Sequence, residues 1–416
     1  MKKKLIIIGA LVAVVAVALI GFNRYQAAEK EKYTINFWSP LTGDDGAYMD
    51  QIVNEFNEQS GSDYTINHVI TSDMYTKLST VVSSKSGIPD LTLMHSYKVE
   101  EFVNSDIIDP VDRLVSYQPE LEESNYLDTA WNAGKIGDTQ YTIPLDIHAS
   151  AMYYNQDLLE KYNVTSWLDD NIVTFDEMMS LAGQMEEGDY VVNNALLSWV
   201  ILAQIRNLGG AISDDAGNPT VNTPEMKEAL EKIKALTDAG LMTPYGEDGY
   251  LMFQGGNVLL STDGTWTSTA HDAVEGLNWG VTNIYSTSDD IATNRAASHM
   301  FGMLKSESRT EEKEEVIAQF LEFVRTNSIE WAKAGQIVAS KDILESNDYQ
   351  QYPQSFFTST PEEEETLYIF DYVYFSYVLE ALDVYSTDIA YGELDMDEGL
   401  ATMQQYVEDK IAEVAR

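Results

Sequence analysis

In the first part of the chain, segments with a strand-like period of two alternate with segments of helical spacing. Tyr33, Ile35 and Phe37 alternate with polar positions, and Tyr64, Ile66, His68 and Ile70 alternate again, which is the spacing of a half-buried strand. Between these segments, the apolar residues of 49–56 fall three and four positions apart, as on one face of a helix. A second helical pattern ends at Gly87, and residues 88–94 begin a third strand. This order predicts an α/β fold in which helices cover a parallel sheet.

Local signals mark the boundaries of several later elements. Thr174 and Glu177 form a capping box, which predicts a helix over residues 175–185. Thr223 precedes Pro224 as an N-cap before a proline at the first helical position, which predicts a helix through residue 236. The remaining predictions are a hairpin turning at Gly137 and Asp138, a solvated acidic helix start over 362–365, and amphipathic helices over 316–324 and 400–414.

The N-terminal segment predicts export. Lys2, Lys3 and Lys4 precede 18 residues, 5–22, that are all apolar or glycine. This run is longer than the roughly 7–15 apolar residues of a cleaved signal peptide and fits the lower end of the about 17–25 residues of a membrane span. We therefore interpret residues 1–32 as an uncleaved membrane anchor with a charged spacer, and a cleaved signal peptide remains the alternative. The expected location is the extracellular face of the cytoplasmic membrane, or the exterior if the segment is cleaved.

The amino-acid composition excludes or disfavours several classes of function. The chain has no cysteine, which excludes disulfides, thiol nucleophiles and cysteine-ligated metals, so a large hydrophobic core must supply stability. The formal net charge of −43 opposes binding to nucleic acid or to anionic membrane surfaces. We interpret this charge as a solvated acidic surface, and a surface that attracts cationic ligands is the alternative.

Sequence signatures of catalysis and of cofactor binding are missing. The chain contains no nucleophile-elbow serine motif, no phosphate-binding glycine loop and no zinc-protease histidine pair. Its five histidines are far apart in sequence, and no pair stands out among its 68 acidic residues. We therefore predict a binding protein without catalytic residues, cofactor or metal, although a glycoside hydrolase is not excluded on these grounds.

Aromatic and polar residues stand at the predicted strand ends. In open α/β sheets, ligands bind outside the carboxyl ends of the strands. Aromatic rings suit the C–H faces of sugars, while carboxylates and imidazoles exchange hydrogen bonds with hydroxyl groups. Arginine is scarce, and only Arg295 lies near such a position, which favours a neutral ligand. The strand-end candidates are Trp38, His95, Asp146, His148 and Trp266.

Several segments together resemble the family 1 extracellular solute-binding proteins, which are the carbohydrate receptors of ABC importers. Residues 141–146 and 151–163 resemble a recurring signature of that family. Five other segments match family features in the family's order, so that the resemblance spans about residues 33–416. These segments are 35–38, 88–93, 174–178, 253–266 and 334–338.

The resemblance implies a type II periplasmic-binding-protein-like fold, in which two α/β lobes close over a ligand about a hinge. Lobe one would comprise residues 33–145 and 296–337, and lobe two residues 146–295 and 338–416. The positions that match the family's ligand contacts are Trp38, Asp146 and Trp266, with His95, His148 and Trp199 on the same lip of the cleft.

Two features depart from the family pattern. Gram-positive members commonly carry a lipidated cysteine, whereas Phe22 follows Gly21 here, so that only the N-terminal helix could serve as the anchor. Val338 stands where the family usually has proline, which leaves the path of that crossing segment open.

The leading hypothesis is a monomeric receptor that captures a mono- or oligosaccharide and delivers it to the membrane subunits of an ABC permease. The first alternative is an extracellular glycoside hydrolase. The second is a receptor for a cationic or peptide-like solute, which the acidic composition alone favours.

Overall fold

The computed structural model describes residues 32–43, 45–287, 292–307 and 309–414. The predicted N-terminal anchor lies outside these residues. Within them, no helix combines the length and the apolar character needed to cross a membrane.

Fifteen strands lie within the described residues. In chain order they are β1 (Thr34–Ser39), β2 (Thr65–Ile70), β3 (Leu91–His95), β4 (Ile108–Asp109), β5 (Lys135–Ile136), β6 (Thr139–Gln140), β7 (Thr142–Pro144), β8 (Asp146–Asn155), β9 (Tyr190–Val192), β10 (Val258–Gly264), β11 (Trp279–Thr282), β12 (Asn294–Ala297), β13 (His299–Leu304), β14 (Ile337–Val338) and β15 (Leu367–Ile369).

Helices separate most of these strands. The described α-helices are α1 (Asp45–Gln59), α2 (Met74–Ser84), α3 (Val99–Asn104), α4 (Asp112–Tyr117), α5 (Asp128–Asn132), α6 (Gln156–Lys161), α7 (Phe175–Ser180), α8 (Leu197–Asn207), α9 (Pro224–Asp238), α10 (Gly249–Gln254), α11 (Ser268–Asp272), α12 (Glu311–Thr326), α13 (Ile329–Ala332), α14 (Lys341–Leu344), α15 (Pro361–Glu364), α16 (Phe375–Tyr391) and α17 (Met396–Val414).

The first sheet has the strand order β2-β1-β3-β13-β4, and β7 also pairs with β13. The predicted parallel arrangement is confirmed for β1, β2 and β3. Strand β13 runs antiparallel to β3 because it returns to this sheet from the second one instead of through a local helix. Phe37 packs against Phe301 and Phe320 with ring centroids 5.6 and 6.0 Å apart, which fastens α12 to this sheet.

The second sheet is built around β8. Its strand order is β15-β12-β8-β10-β9, and β11 and β14 also pair with β8. Strands β10, β11 and β12 all run antiparallel to β8. The longer helices α8, α9, α16 and α17 carry the buried apolar side chains of a separate core on this side of the molecule. The two sheets with their helices form the two lobes that the resemblance predicts.

Three chain segments cross between the sheets side by side. One runs from β7 through Leu145 into β8, and a second runs from β12 through Ser298 into β13. The Leu145 amide donates to the His299 carbonyl, and the third segment pairs Val338 with Asp146. A valine at position 338 therefore continues this strand pairing, where a proline would lack the backbone donor.

Local signals predicted element starts better than element ends. The capping box of Thr174 and Glu177 is confirmed, with both reciprocal hydrogen bonds present. The predicted end at residue 185 is wrong, because α7 ends at Ser180 and the chain then turns through Gly183 at a φ of 72°. The hairpin at Gly137 is confirmed by the pairing of β5 with β6.

Gly335 provides a close backbone contact between a crossing segment and the second lobe. Its φ is 81°, and a Cβ atom there would meet the Thr265 carbonyl oxygen and approach the Ser268 hydroxyl oxygen to 2.7 Å. Gly137 also has a positive φ, of 59°, but a Cβ atom there meets nothing within 4 Å. A side chain at Gly137 would therefore cost only backbone strain, whereas one at Gly335 would cost the same strain and also clash with the second lobe.

We expect Gly335→Ala to lower the free energy of unfolding by about 1–3 kcal/mol more than Gly137→Ala does, since only the former adds overpacking to strain. Urea unfolding followed by circular dichroism measures both variants. Equal losses at the two positions would contradict the close interlobe contact.

Candidate functional site

A cavity of ≈ 500 Å³ lies between the two lobes. Its size falls in the range of small-molecule binding sites, about 300–1,000 Å³. Both sheets and the crossing segments contribute to its wall. The lining residues are Pro40, Leu41, Thr42, Gly43, Asp45, Tyr48, His95, Tyr97, His148, Trp199, Tyr250, Trp266, Thr267, Thr269, Ala270, His299, Ala334 and Gln336.

Three of the five histidines meet in this wall. His299 opens β13 and lies directly opposite His95, the last residue of β3, in the antiparallel pair. His148 pairs with Ala297, two residues before His299, so the adjacent crossing segment brings it to the same place. The ring centroid of His148 lies 4.3 Å from that of His299 and 5.6 Å from that of His95. Strand pairing thus joins residues that are far apart in sequence.

The Nδ1 atom of each of these rings has a hydrogen-bond partner. Nδ1 of His299 lies 2.8 Å from a carboxylate oxygen of Asp146, and Nδ1 of His148 lies 3.5 Å from the other oxygen. Nδ1 of His95 lies 2.6 Å from the hydroxyl of Tyr75. These contacts fix the orientation of the rings and leave their Nε2 atoms without a hydrogen-bond partner among the described residues.

Asp146 anchors this group from below the cavity wall. Its side chain is 0 % exposed. It accepts hydrogen bonds from the backbone amide of His299 at 2.9 Å and from the indole of Trp331 at 2.7 Å. Burial alone would raise the pKa of this carboxyl, but the charge of His299 and the hydrogen bonds from both histidines hold it well below its usual range.

The pKa values of the three histidines are shifted in different directions. Burial lowers the pKa of His95 well below the usual value and that of His148 to about 4, and the neighbouring charge of His299 adds to both effects. Burial also acts to lower the pKa of His299, but the carboxylate of Asp146 outweighs it and raises that pKa. His95 and His148 are therefore neutral imidazoles at neutral pH.

Two tryptophans form an aromatic wall beside the histidines. The rings of Trp199 and Trp266 meet edge to face at 5.5 Å, and His148 lies 6.1 and 6.0 Å from them. The guanidinium of Arg295 stacks on Trp199 at 3.5 Å from the ring centroid. Arg295 is only 1 % exposed, and burial lowers its pKa to about 9. This arginine supports the wall from behind and is not itself part of the lining.

The rest of the lining is polar but carries little charge. Hydroxyl groups come from Thr42, Thr267 and Thr269, and Gln336 adds an amide. Among the described lining residues, Asp45 is the only carboxylate, and none is lysine or arginine. Burial raises the pKa of Asp45, although the charge of His299 opposes this effect. The strongly negative charge of the chain is thus not concentrated here.

The structure brings four of the six predicted site residues into one cavity wall. These are His95, His148, Trp199 and Trp266. Asp146 lies beneath the wall instead of in it. Trp38 packs beside a small apolar cluster that includes Met74, Leu78 and Phe102.

The loop that follows Trp38 forms part of the cavity wall, whereas the Trp38 side chain does not. The Trp38 side chain points to the side of β1 opposite Phe37, because successive side chains of a strand alternate. The chain then continues through Pro40, Leu41 and Thr42 over the cavity. The strand end was thus located correctly, but its tryptophan side chain faces away.

The sequence analysis did not select His299, Tyr97 or Gln336 as site residues. Tyr97 lies two residues after the end of β3, so its position near a strand end was a usable signal. His299 starts the antiparallel strand, and no local pattern indicates that this strand pairs with β3.

Comparison with known proteins identifies similar sequences. The model of a family described as bacterial extracellular solute-binding protein matches residues 51–358. An arabinooligosaccharide-binding protein of Halalkalibacterium halodurans is 25% identical over 207 residues, which are 46% of this chain and 44% of that protein. A binding protein of Brucella abortus is 24% identical over 273 residues, which are 62% of this chain and 63% of that protein. The matched region thus spans less than two thirds of the length of these curated relatives.

Solved structures share the fold at low sequence identity. A substrate-binding protein of an ABC system from Listeria monocytogenes, in complex with cycloalternan, has a TM-score of 0.75 at 16% identity, with 91% of this chain and 99% of that chain covered. The sugar-binding protein MalE of Xanthomonas citri has a TM-score of 0.76 at 14% identity, with coverage of 92% and 98%. UgpB of Mycobacterium tuberculosis, in complex with glycerophosphocholine, has a TM-score of 0.74 at 16% identity, with coverage of 92% and 99%. The predicted two-lobed fold is confirmed.

We expect Asp146→Asn to lower the free energy of unfolding by about 3 kcal/mol, because the amide group of Asn turns a donor towards groups that already donate. Asp50→Asn is the matched control, since Asp50 also pairs with a histidine, His68, at 2.6 Å but is 53% exposed. That variant should lose less than about 1 kcal/mol. Chemical unfolding of both proteins measures the difference, and similar losses would show that Asp146 does not anchor the crossing.

Proposed function

This chain belongs to the bacterial extracellular solute-binding proteins, and from that premise we propose that it is the receptor of an ABC importer that captures a mono- or oligosaccharide. The two lobes would close over the sugar about the three crossing segments and present it to the permease. The N-terminal segment would tether a monomeric receptor to the outer face of the cytoplasmic membrane.

The composition of the cavity wall carries this proposal. Trp199 and Trp266 offer flat apolar rings, and Tyr48, Tyr97 and Tyr250 add rings that also bear hydroxyl groups. Sugars present apolar C–H faces between rings of hydroxyl groups, so they match a wall that alternates aromatic rings with hydrogen-bonding groups. The names of the Halalkalibacterium relative and of the Listeria and Xanthomonas structures agree with an oligosaccharide or sugar.

The fold alone does not select a sugar, because the mycobacterial structure with the same fold holds glycerophosphocholine. A phosphate group favours an arginine or lysine partner. Among the described residues that line this cavity there is neither, and Arg295 is stacked behind Trp199. The wall therefore favours an uncharged solute.

The two alternative functions fit the cavity less well. A glycoside hydrolase ordinarily needs two carboxyl groups on either side of the scissile bond. The described lining offers only Asp45, since Asp146 is buried and bound to His299 and Trp331. A receptor for cationic solutes would be expected to gather carboxylates in its site, and a single one is present in the described lining.

The decisive experiment is a thermal-shift screen of the full-length protein against a carbohydrate panel, followed by calorimetry with the best ligand. We expect Trp266→Ala to weaken binding at least about 30-fold, because truncation of a central aromatic contact typically costs 2 kcal/mol or more. Trp38→Ala is the matched control, since Trp38 lies against the apolar cluster outside the cavity.

Three outcomes would count against the proposal. Unchanged affinity of Trp266→Ala would remove that ring from the site. Cleavage of the oligosaccharide, detected by chromatography after incubation, would favour the hydrolase. Binding that weakens strongly with added salt would favour a charged solute.

A further inference from the structure

We infer that His95, His148 and His299 form a binding site for one divalent transition-metal ion, with a coordination position left open towards the cavity. One nitrogen of each ring lies within 4.8 Å of one nitrogen of each of the other two rings. Among the described residues, this is the only such group of three or more histidine or acidic side chains. The inference does not depend on the ligand being a sugar.

The hydrogen bonds of the rings leave one nitrogen of each ring for a metal. Nδ1 of His299 and of His148 face the carboxylate of Asp146, and Nδ1 of His95 faces the Tyr75 hydroxyl. The Asp146 carboxylate can only accept, and the Tyr75 oxygen can accept from Nδ1 of His95 as well as from its backbone amide, so each ring can donate through Nδ1 and leave Nε2 for a metal ion. A bound metal ion would displace the second proton of a charged His299 ring. Three Nε2 atoms are therefore the ligand set.

The surroundings of the rings match those of metal-binding histidines. Such histidines almost always donate their second ring nitrogen to a carboxylate, a carbonyl or water, which fixes the ring and makes it more basic. Asp146 supplies this carboxylate to two rings, and Trp331 holds it in place at 2.7 Å. No thiolate is available in a chain without cysteine.

Imidazole ligands select the class of metal ion. Nitrogen donors suit Zn²⁺, Ni²⁺ and Cu²⁺, whereas Ca²⁺ and Mg²⁺ require sets of oxygen ligands. Three protein ligands with the fourth position open are the arrangement of zinc sites that bind water or a solute oxygen. The fourth position would face the cavity, because all three histidines line it.

The required movement is small. With Zn–N bonds of about 2.0–2.1 Å, tetrahedral ligand nitrogens stand ~3.4 Å apart. One nitrogen of each ring already lies within 4.8 Å of one nitrogen of the other two rings, so a small rearrangement of the rings would reach this spacing. His148 belongs to β8 of the second sheet, while His95 and His299 belong to the first sheet. A bound ion would therefore link the lobes and favour their approach.

Local charges are compatible with a cation. The negative charge of Asp146 lies directly behind two of the rings, and Asp45 lines the same cavity. The opposing positive charges are Arg295, whose guanidinium is stacked on Trp199 and outside the lining, and a protonated His299, which would lose its extra proton when a metal ion binds. Two carboxylates thus offset one cation near the site.

The test uses untagged full-length protein that has been stripped with a chelator and then titrated with Zn²⁺ by calorimetry. We expect one ion per chain with a Kd of about 1 μM or tighter. His148→Ala should weaken binding at least about 100-fold, since loss of a residue that only supports a ligand already costs about 10–100-fold.

The matched control is His68→Gln. His68 also contacts a carboxylate, but both of its ring nitrogens are engaged, by Asp50 at 2.6 Å and by Ser39 at 2.7 Å. That variant should retain one ion per chain with unchanged affinity. His95→Gln replaces His148→Ala if the latter does not fold, as judged by circular dichroism.

Cobalt gives a readout that does not depend on any variant. We expect Co²⁺ in the wild-type protein to show the visible absorption of tetrahedral nitrogen coordination. A spectrum identical to that of aqueous Co²⁺, the absence of Zn²⁺ binding, or unchanged Zn²⁺ affinity in a folded histidine variant would each overturn the inference.

Discussion

The buried carboxylate of Asp146 is the interaction on which the arrangement of the two lobes depends. It lies where the three crossing segments run side by side, and it accepts hydrogen bonds from His299 in the second segment and from Trp331, which precedes the third. A buried charge is stable only when hydrogen bonds and opposite charge compensate the loss of water. The same contacts that satisfy this carboxylate therefore hold the crossing segments together and orient the histidines.

The cavity wall follows from this arrangement. His148 lies between the histidines of the first sheet and the tryptophans of the second, with its ring 4.3 Å from His299 and 6.0 Å from Trp266. Arg295 stiffens the tryptophan side by stacking on Trp199 without entering the cavity. Asp146 and Arg295 are thus held behind the wall, while aromatic rings, hydroxyl groups and the histidines face the solute, with Asp45 as the only carboxylate of the described lining.

Trp266, His148 and Trp38 show which features of the site can be predicted from the sequence. Trp266 and His148 were found because each follows an apolar strand, and the structure places both in the cavity wall. Trp38 also stands at a strand end, but its side chain faces the apolar cluster because alternation along β1 points it to that side. A strand end can be read from local sequence, whereas the direction of its side chain relative to a second lobe cannot.

By itself, the sequence determined the periodic elements, the helix starts and the family, because these depend on spacing within about 20 residues and on an ordered set of short segments. Only the tertiary structure decided that β13 returns antiparallel beside β3, that His95, His148 and His299 meet, and that Asp146 is buried beneath them. These features join residues about 50 to 200 positions apart through strand pairing, and pairing over such distances leaves no local pattern in the chain.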